Sequence, residues 1–513
     1  MASSSNDGSA LEITLVDIGG HEITKGTWHG HCKAHELFQA AYKSKPGFLC
    51  KLLHGSEDLS PQSDLASLGQ SSGHLTVVWI KAGGQEKQFD TTHRSHAFAA
   101  VRSDGSVVTW GQARGGGDSS RVEHRLQEGV VQVVGNHWAF AAVRSDGSVV
   151  TWGDADRGGD SSQVEHRLQE GVAQVFGSDS AFAAVRSDGS VITWGDADRG
   201  GDSSHVEHRL QEGVARVFGN AWAFAAVRSD GSVVTWGDAD RGGDSSRVEH
   251  QLQQGVLQVA GNAKAFAAIR SDGSVITWGH ALGGGDSSHV EHRLQEGVVQ
   301  VVGNAGAFAA VKSDGSVITW GNAACGGDSS HVEHRLQTDV VQVVGNAWAF
   351  AAVKSDGSVI TWGNADRGGD SSRVEHRLQD GVVQVVGNGS VFVAVKSDGS
   401  VITWGNATGG GDSSHVEHRL QEGVVQVVGN AWAFAAVKSD GSVITWGDAD
   451  RGGDNSRVEH RLQEGVVQVV GNREAFAAVK SDGSVITWGN AAGGGVSSHV
   501  EHRLQEGVLG VVA

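Results

Sequence analysis

The chain has 513 residues, 76 of them Gly and only 2 Pro, with 40 Lys+Arg against 59 Asp+Glu and a formal charge of −19. The acidic balance argues against nucleic acid as a partner, because phosphate binding needs a basic face. Cys32, Cys50 and Cys325 are too few for a disulfide framework, so a reducing compartment, cytoplasmic or nuclear, is expected. No stretch reaches the ~18 apolar residues of a membrane span, and no basic, apolar leader opens the chain.

Residues 1–9 are expected to be disordered. From residue 10 to 84 the pattern is that of a small α+β domain. Leu11-Glu-Ile-Thr-Leu-Val-Asp17 alternates as a half-buried strand, and Gly20-His-Glu-Ile-Thr-Lys25 is expected to pair with it. His35 to Tyr42 is expected to be helical, and Pro46-Gly47 breaks the chain. Strands follow around Cys50–Leu59 and Leu75–Trp79. This order, with Lys51-Leu-Leu-His-Gly-Ser56 and the Gly83-Gly84 pair, resembles the ubiquitin-like β-grasp family. The resemblance implies that Leu52 and Val78 form an apolar recognition patch for ubiquitin-pathway receptors. It also implies a fixed, non-conjugating domain, because the chain continues through Gln85 and Ser56 replaces the conjugation lysine. Residues 85–93 are expected to be a linker or a capping strand.

The remainder, residues 94–513, is an array. Thr-Trp-Gly recurs with its Trp at 110, 152, 194, 236, 278, 320, 362, 404, 446 and 488, every interval being 42 residues. Ten units of one length are the mark of a repeat architecture. Within a unit, Ala97-Phe-Ala-Ala-Val-Arg102 and Ser106-Val-Val-Thr-Trp110 flank Asp104-Gly105, which predicts a two-residue type I′ hairpin. Ser120-x-x-Glu123 predicts a capping box opening a short helix to Gln127-Glu128, with a left-handed Gly129 behind it. Val130-Val-Gln-Val-Val134 predicts a third strand. Three strands and one turn of helix cannot bury their own apolar face, so neighbours must stack.

The sequence Ser-Asp-Gly-Ser-Val-x-Thr-Trp-Gly, a Gly-rich loop and Val-Val-Gln-Val-Val-Gly-Asn resembles the regulator of chromosome condensation repeat, as found in the HERC ubiquitin ligases. The resemblance implies a mainly β architecture of propeller-type blades, one per repeat. Ten units exceed the usual 4–8 blades, and these units are shorter than the family's. A final strand (Val508 to Val512) pairing with the first hairpin would close a ring; Gln88 to His93 capping an open superhelix is the alternative. The strict period leaves no room for the wedge of the guanine-nucleotide exchange members, and no HECT catalytic domain is visible.

Chemistry is sparse. Ten histidines recur at 42-residue spacing (His124 to His502), and five units add a second, as in His289-Val-Glu-His292. A zinc site wants three or four ligands, so these are expected to form a solvated face, with no metal and no cofactor. The Asp-Gly and Gly-Gly-Asp loops are expected to be structural rather than calcium sites. The ten Thr-Trp-Gly tryptophans are expected to pack between blades. The position before Ala-Phe-Ala-Ala swings between Trp138, Ser180, Trp222, Lys264, Gly306, Trp348, Ser390, Trp432 and Glu474, which predicts an exposed loop. There Trp138, Trp222, Trp348 and Trp432 are candidate anchors for a protein partner. The arginine-rich tryptophan cage of the light-sensing members of this repeat family is not expected.

The sequence therefore predicts a non-enzymatic scaffold with a ubiquitin-pathway head. A small-GTPase exchange regulator and the non-catalytic part of a HERC-type ligase are the alternatives.

Overall fold

The structure is a computed structural model and describes residues 10–16, 22–29, 37, 48–54, 57–59, 65, 74–81 and 95–513. The segments 1–9 and 85–93 lie outside the described residues. So do Cys32, Pro46, Ser56 and the Gly83-Gly84 pair.

The head forms one five-stranded sheet from β1 (Ala10–Val16), β2 (Glu22–His29), β3 (Phe48–His54), β4 (Glu57–Leu59) and β5 (His74–Lys81), in the order β2-β1-β5-β3-β4. β1 and β5 run parallel at the centre, and the β1–β2 and β3–β5 pairs are antiparallel. Ile13, Leu15, Leu75 and Val77 are buried. Of the predicted helix only Leu37 is described; it is helical and buried.

The array is a series of three-stranded antiparallel sheets, or blades. Blade 2 is typical: Val130–Gly135, Ala139–Arg144 and Val149–Gly153, with Ala139–Arg144 in the middle. The middle strand is buried on both faces, which explains its unbroken apolar run. Ala139, Ala141 and Val143 pack toward blade 3, against Phe182 and Trp194, whereas Phe140 and Ala142 pack toward blade 1. Alanine at these positions lets neighbouring sheets approach closely. A ladder of ten such clusters among the described residues joins consecutive blades, each with one Phe and one Trp at its centre.

Blade 1 is assembled from both ends of the array. Val508–Val512 pairs with Ala97–Arg102, which pairs with Val107–Gly111. One cluster joins Ala475, Ala477 and Val479 of blade 10 to Phe98 and Trp110 of blade 1. The contact that links every other neighbouring pair thus recurs between the last blade and the first.

Two local expectations are corrected. The hairpin is not a two-residue type I′ turn. Gly105 N donates to Arg102 O and Arg102 N to Ser106 O, both at 2.9 Å, which encloses a three-residue loop. Only Gly105 takes a positive φ, at 77°. A type I turn followed by a left-handed bulge glycine asks this of one residue rather than two, so Asp104 keeps an ordinary backbone. Its carboxylate accepts from the Ser106 amide (2.9 Å) and hydroxyl (2.6 Å).

Nor is there a capping box or a helix to Glu128. The segment is a 3-10 turn, Glu123–Arg125, with no side-chain cap. The Ser120 amide instead donates to Asp118 Oδ1 at 2.9 Å, so the local Asp captures the backbone before Ser120 can cap it. A second 3-10 turn, Ala113–Gly115, lies in the Gly-rich loop and was not anticipated. The left-handed Gly129 is present, at φ 74°.

Candidate interaction surface

The tryptophans of Thr-Trp-Gly are architectural, as expected. Trp152 is buried, stacks on Phe140 at 5.5 Å, and donates from Nε1 to the Gly116 carbonyl of the preceding unit at 2.9 Å. Gly116 has φ 97°, and a Cβ there would stand 2.5 Å from the Phe140 ring. The loop that supplies the carbonyl therefore requires glycine.

The variable position is built by a clamp that the sequence did not announce. Asn136 Oδ1 accepts from the amides of Trp138 (2.7 Å) and Ala139 (2.8 Å), while Nδ2 donates to the Arg157 carbonyl (2.8 Å). This ties the loop before the middle strand to the loop after the outer strand. The two variable residues, 19 apart in sequence, come to lie together.

Exposure of these tryptophans is corrected. Trp138, Trp222, Trp348 and Trp432 are half-buried, because an arginine covers each ring. Arg157 lies 4.2 Å from Trp138, Arg367 4.2 Å from Trp348 and Arg451 4.4 Å from Trp432. Trp222 has two such partners, Arg199 at 3.8 Å and Arg241 at 4.0 Å. Arg199 reaches across because its own unit carries buried Ser180, to which it donates at 3.2 Å. These arginine covers were not among the contacts expected from sequence. The signal was present: every Trp unit carries Ala-Asp-Arg 19 residues on.

Elsewhere at least one of the two paired positions is glycine or serine. Buried Gly306 faces Cys325, whose Sγ would lie 3.3 Å from an added Cβ. Burial pushes the Cys325 thiol up. Lys264 is exposed over Gly283, and Ser390 and Glu474 are half-buried. In blade 1 the position is His96, which stacks on His137 at 5.6 Å, and His137 stacks on Trp138 at 4.8 Å. Burial holds His96 below the usual imidazole range; Arg473 adds to this and Glu474 opposes it.

The 3-10 turns form a charged belt. Arg125 Nη1 donates to Glu165 Oε1 of the next turn at 3.0 Å, and Arg503 donates to Glu123 at 2.9 Å across the chain ends. The pattern is broken at Gln251, which stands where other units have arginine. The histidines of these turns are exposed, as expected of a solvated face.

In the head, Leu52 pairs with Val77 and Val78 with Lys51. The two candidates take alternate positions of the β3–β5 register.

The chain matches no family model and no curated protein. Among solved structures it is similar to the computationally designed Ika8 protein (14% identity over 62% of this chain and 96% of that one, TM-score 0.29). It is also similar to Prp20p of Saccharomyces cerevisiae (13%, 53% and 81%, TM-score 0.31) and to human WBSCR16 (18%, 59% and 99%, TM-score 0.31).

Proposed function

We propose that the array is a closed ring of ten propeller-type blades that acts as a non-enzymatic scaffold for protein partners. The partners engage the face bearing Trp138, Trp222, Trp348 and Trp432. One observation carries this reading: in four blades the Asn136-type clamp holds an indole beneath an arginine, at two positions that change from blade to blade. Indole–guanidinium pairs at such a site combine flat apolar area with hydrogen-bond donors, the composition of interface hot spots. Affinity capture with the full chain and with a Trp138→Ala, Trp222→Ala, Trp348→Ala, Trp432→Ala variant tests it. Loss of the captured partners from a folded variant supports the reading, and an unchanged partner set overturns it.

For the head we propose a ubiquitin-like β-grasp that contacts ubiquitin-pathway receptors in the cytoplasm or nucleus. The strand order β2-β1-β5-β3-β4, with its central parallel pair, supports the β-grasp. Because Leu52 and Val78 occupy alternate register positions, each is tested singly. Val78→Ala is expected to weaken capture of ubiquitin receptors. Capture that survives both Val78→Ala and Leu52→Ala removes the link.

A further inference from the structure

Five of the ten belt turns carry histidine at both the first and fourth positions of His-Val-Glu-His: His205/His208, His289/His292, His331/His334, His415/His418 and His499/His502. The other five have Arg121, Gln163, Arg247, Arg373 or Arg457 at the first position. All ten imidazoles of the five pairs are exposed. Each pair lies on consecutive three-residue turns. In the fifth-blade turn, Val290 N donates to Ser287 O, Arg293 N to Val290 O and Leu294 N to Glu291 O, each at 2.9 Å. At Ser204–Arg209 the two turns fuse into one six-residue 3-10 helix containing both histidines. With three residues per turn, positions i and i+3 are eclipsed, about 6 Å apart along the axis. In that helix both imidazoles therefore stand over one edge, and the hydrogen-bonded turns 287–290 and 290–293 give His289 and His292 the same i, i+3 spacing, at which two nitrogen ligands can reach one ion.

The five pairs are not equivalent. At four of them the intervening glutamate is held by the arginine of the preceding turn: Glu207 by Arg167, Glu333 by Arg293, Glu417 by Arg377 and Glu501 by Arg461, at 2.9 to 3.4 Å. At the fifth, the preceding turn carries Gln251, so Glu291 receives no guanidinium from it. Among the described residues the His289/His292 pair is thus the one of the five whose glutamate pairs with no arginine, which favours a cation there over the other four.

We propose that His289 and His292 form an open, two-imidazole binding site for a borderline divalent transition cation of the Zn²⁺ class, with Glu291 supplying the field and water completing the coordination. Imidazole suits such ions, and exposure leaves the remaining coordination positions free. Among the described residues no group of three or more His, Cys, Asp or Glu is placed to hold a metal, so two protein ligands set the site's class. The other four pairs are weaker versions of it.

The test is equilibrium dialysis of the full chain against Zn²⁺ at pH 7.5, comparing variants so that all other histidines cancel. At the free Zn²⁺ that half-fills the tightest array site, His292→Gln and, separately, His289→Gln should each lower the bound count, toward one ion per chain fewer at saturation of that site. His250→Gln, in a turn with a single histidine, should not. Gln251→Arg, which completes the belt, should weaken the same site several-fold without removing it. An unchanged count in both His289→Gln and His292→Gln overturns the site. Loss of the ion in those variants together with full affinity in Gln251→Arg overturns the role given to Glu291.

Discussion

The indole of Trp110 donates to the carbonyl of Gly494, 3.1 Å away and 384 residues along the chain. Every other Thr-Trp-Gly indole makes the same bond to a glycine 36 residues before it, as Trp236 does to Gly200 at 3.0 Å. The first tryptophan of the array therefore has the environment of an interior one. Removing the donor should reveal this. Trp110→Phe keeps the ring on Phe98 but leaves a buried carbonyl unpaired, at a cost of about 1–3 kcal/mol. Urea denaturation should show the same loss for Trp110→Phe as for Trp236→Phe. In an open array Trp110 would be a terminal residue, and its replacement would cost far less.

Asp339 is the only non-glycine with positive φ among the described residues, at 67°, where nine other units have glycine. An L side chain pays for that conformation, although Asp tolerates it better than most. Asp339→Gly is expected to stabilise the array by roughly 1 kcal/mol, read as a rise in thermal midpoint. The reciprocal Gly297→Asp should lower it.

The Ser-Asp-Gly turns are expected to make the array acid-labile. The Ser190 hydroxyl and amide hold the Asp188 carboxyl below the usual carboxylate range, and Arg186 assists. The same direction holds at the corresponding Asp of each blade, from Asp104 to Asp482; at Asp104 burial is the largest single effect and opposes it, but the Ser106 hydrogen bonds and Arg102 together outweigh it. A depressed carboxylate stabilises the fold above its unfolded pKa of about 3.9, and that contribution disappears as the pH falls through the lower folded value. Circular dichroism should show unfolding that sets in below about pH 4. Ser190→Ala should move the onset upward, and Ser190→Thr, which keeps a hydroxyl, should move it less.

Asn220 holds the loop of Trp222 to the loop of Arg241 with three hydrogen bonds of 2.7 to 2.8 Å. Asn220→Ala should cost roughly 2–4 kcal/mol, since buried backbone groups are left unpaired. It should also free the Trp222 indole from Arg241, seen as a change in tryptophan emission under conditions where the fold is retained. Arg241→Ala should give the emission change with much less loss of stability.

What the sequence made legible was the part whose cause is local or periodic. The 42-residue spacing, the apolar middle strand, the left-handed Gly129 and the inter-blade Trp110 series all follow from one unit and its need for neighbours. The errors arose where two local motifs competed for the same backbone groups. Ser120-x-x-Glu123 has the letters of a capping box, yet Asp118 reaches the Ser120 amide first. Asp104-Gly105 fits two hairpin types, and only the bulged one spares Asp104 a strained backbone. Contacts between units were the least legible. Arg157 over Trp138, the Asn136 clamp and the Arg125–Glu165 belt join residues 19 to 40 apart, beyond any local propensity, although the co-occurrence of Trp with Ala-Asp-Arg could have been read.

Closure of the ring is tested most directly at the seam, where Val512 lies opposite Ala99 in the antiparallel register. A chain carrying Ala99→Cys and Val512→Cys, with Cys32, Cys50 and Cys325 replaced by alanine, should form a disulfide on mild oxidation. Opposed strand residues bring their Cα atoms within the range a disulfide spans. Peptide mapping without reductant should find the 99–512 link in protein that remains a monomer. Unlinked cysteines, or a link found only between molecules, would contradict a closed array.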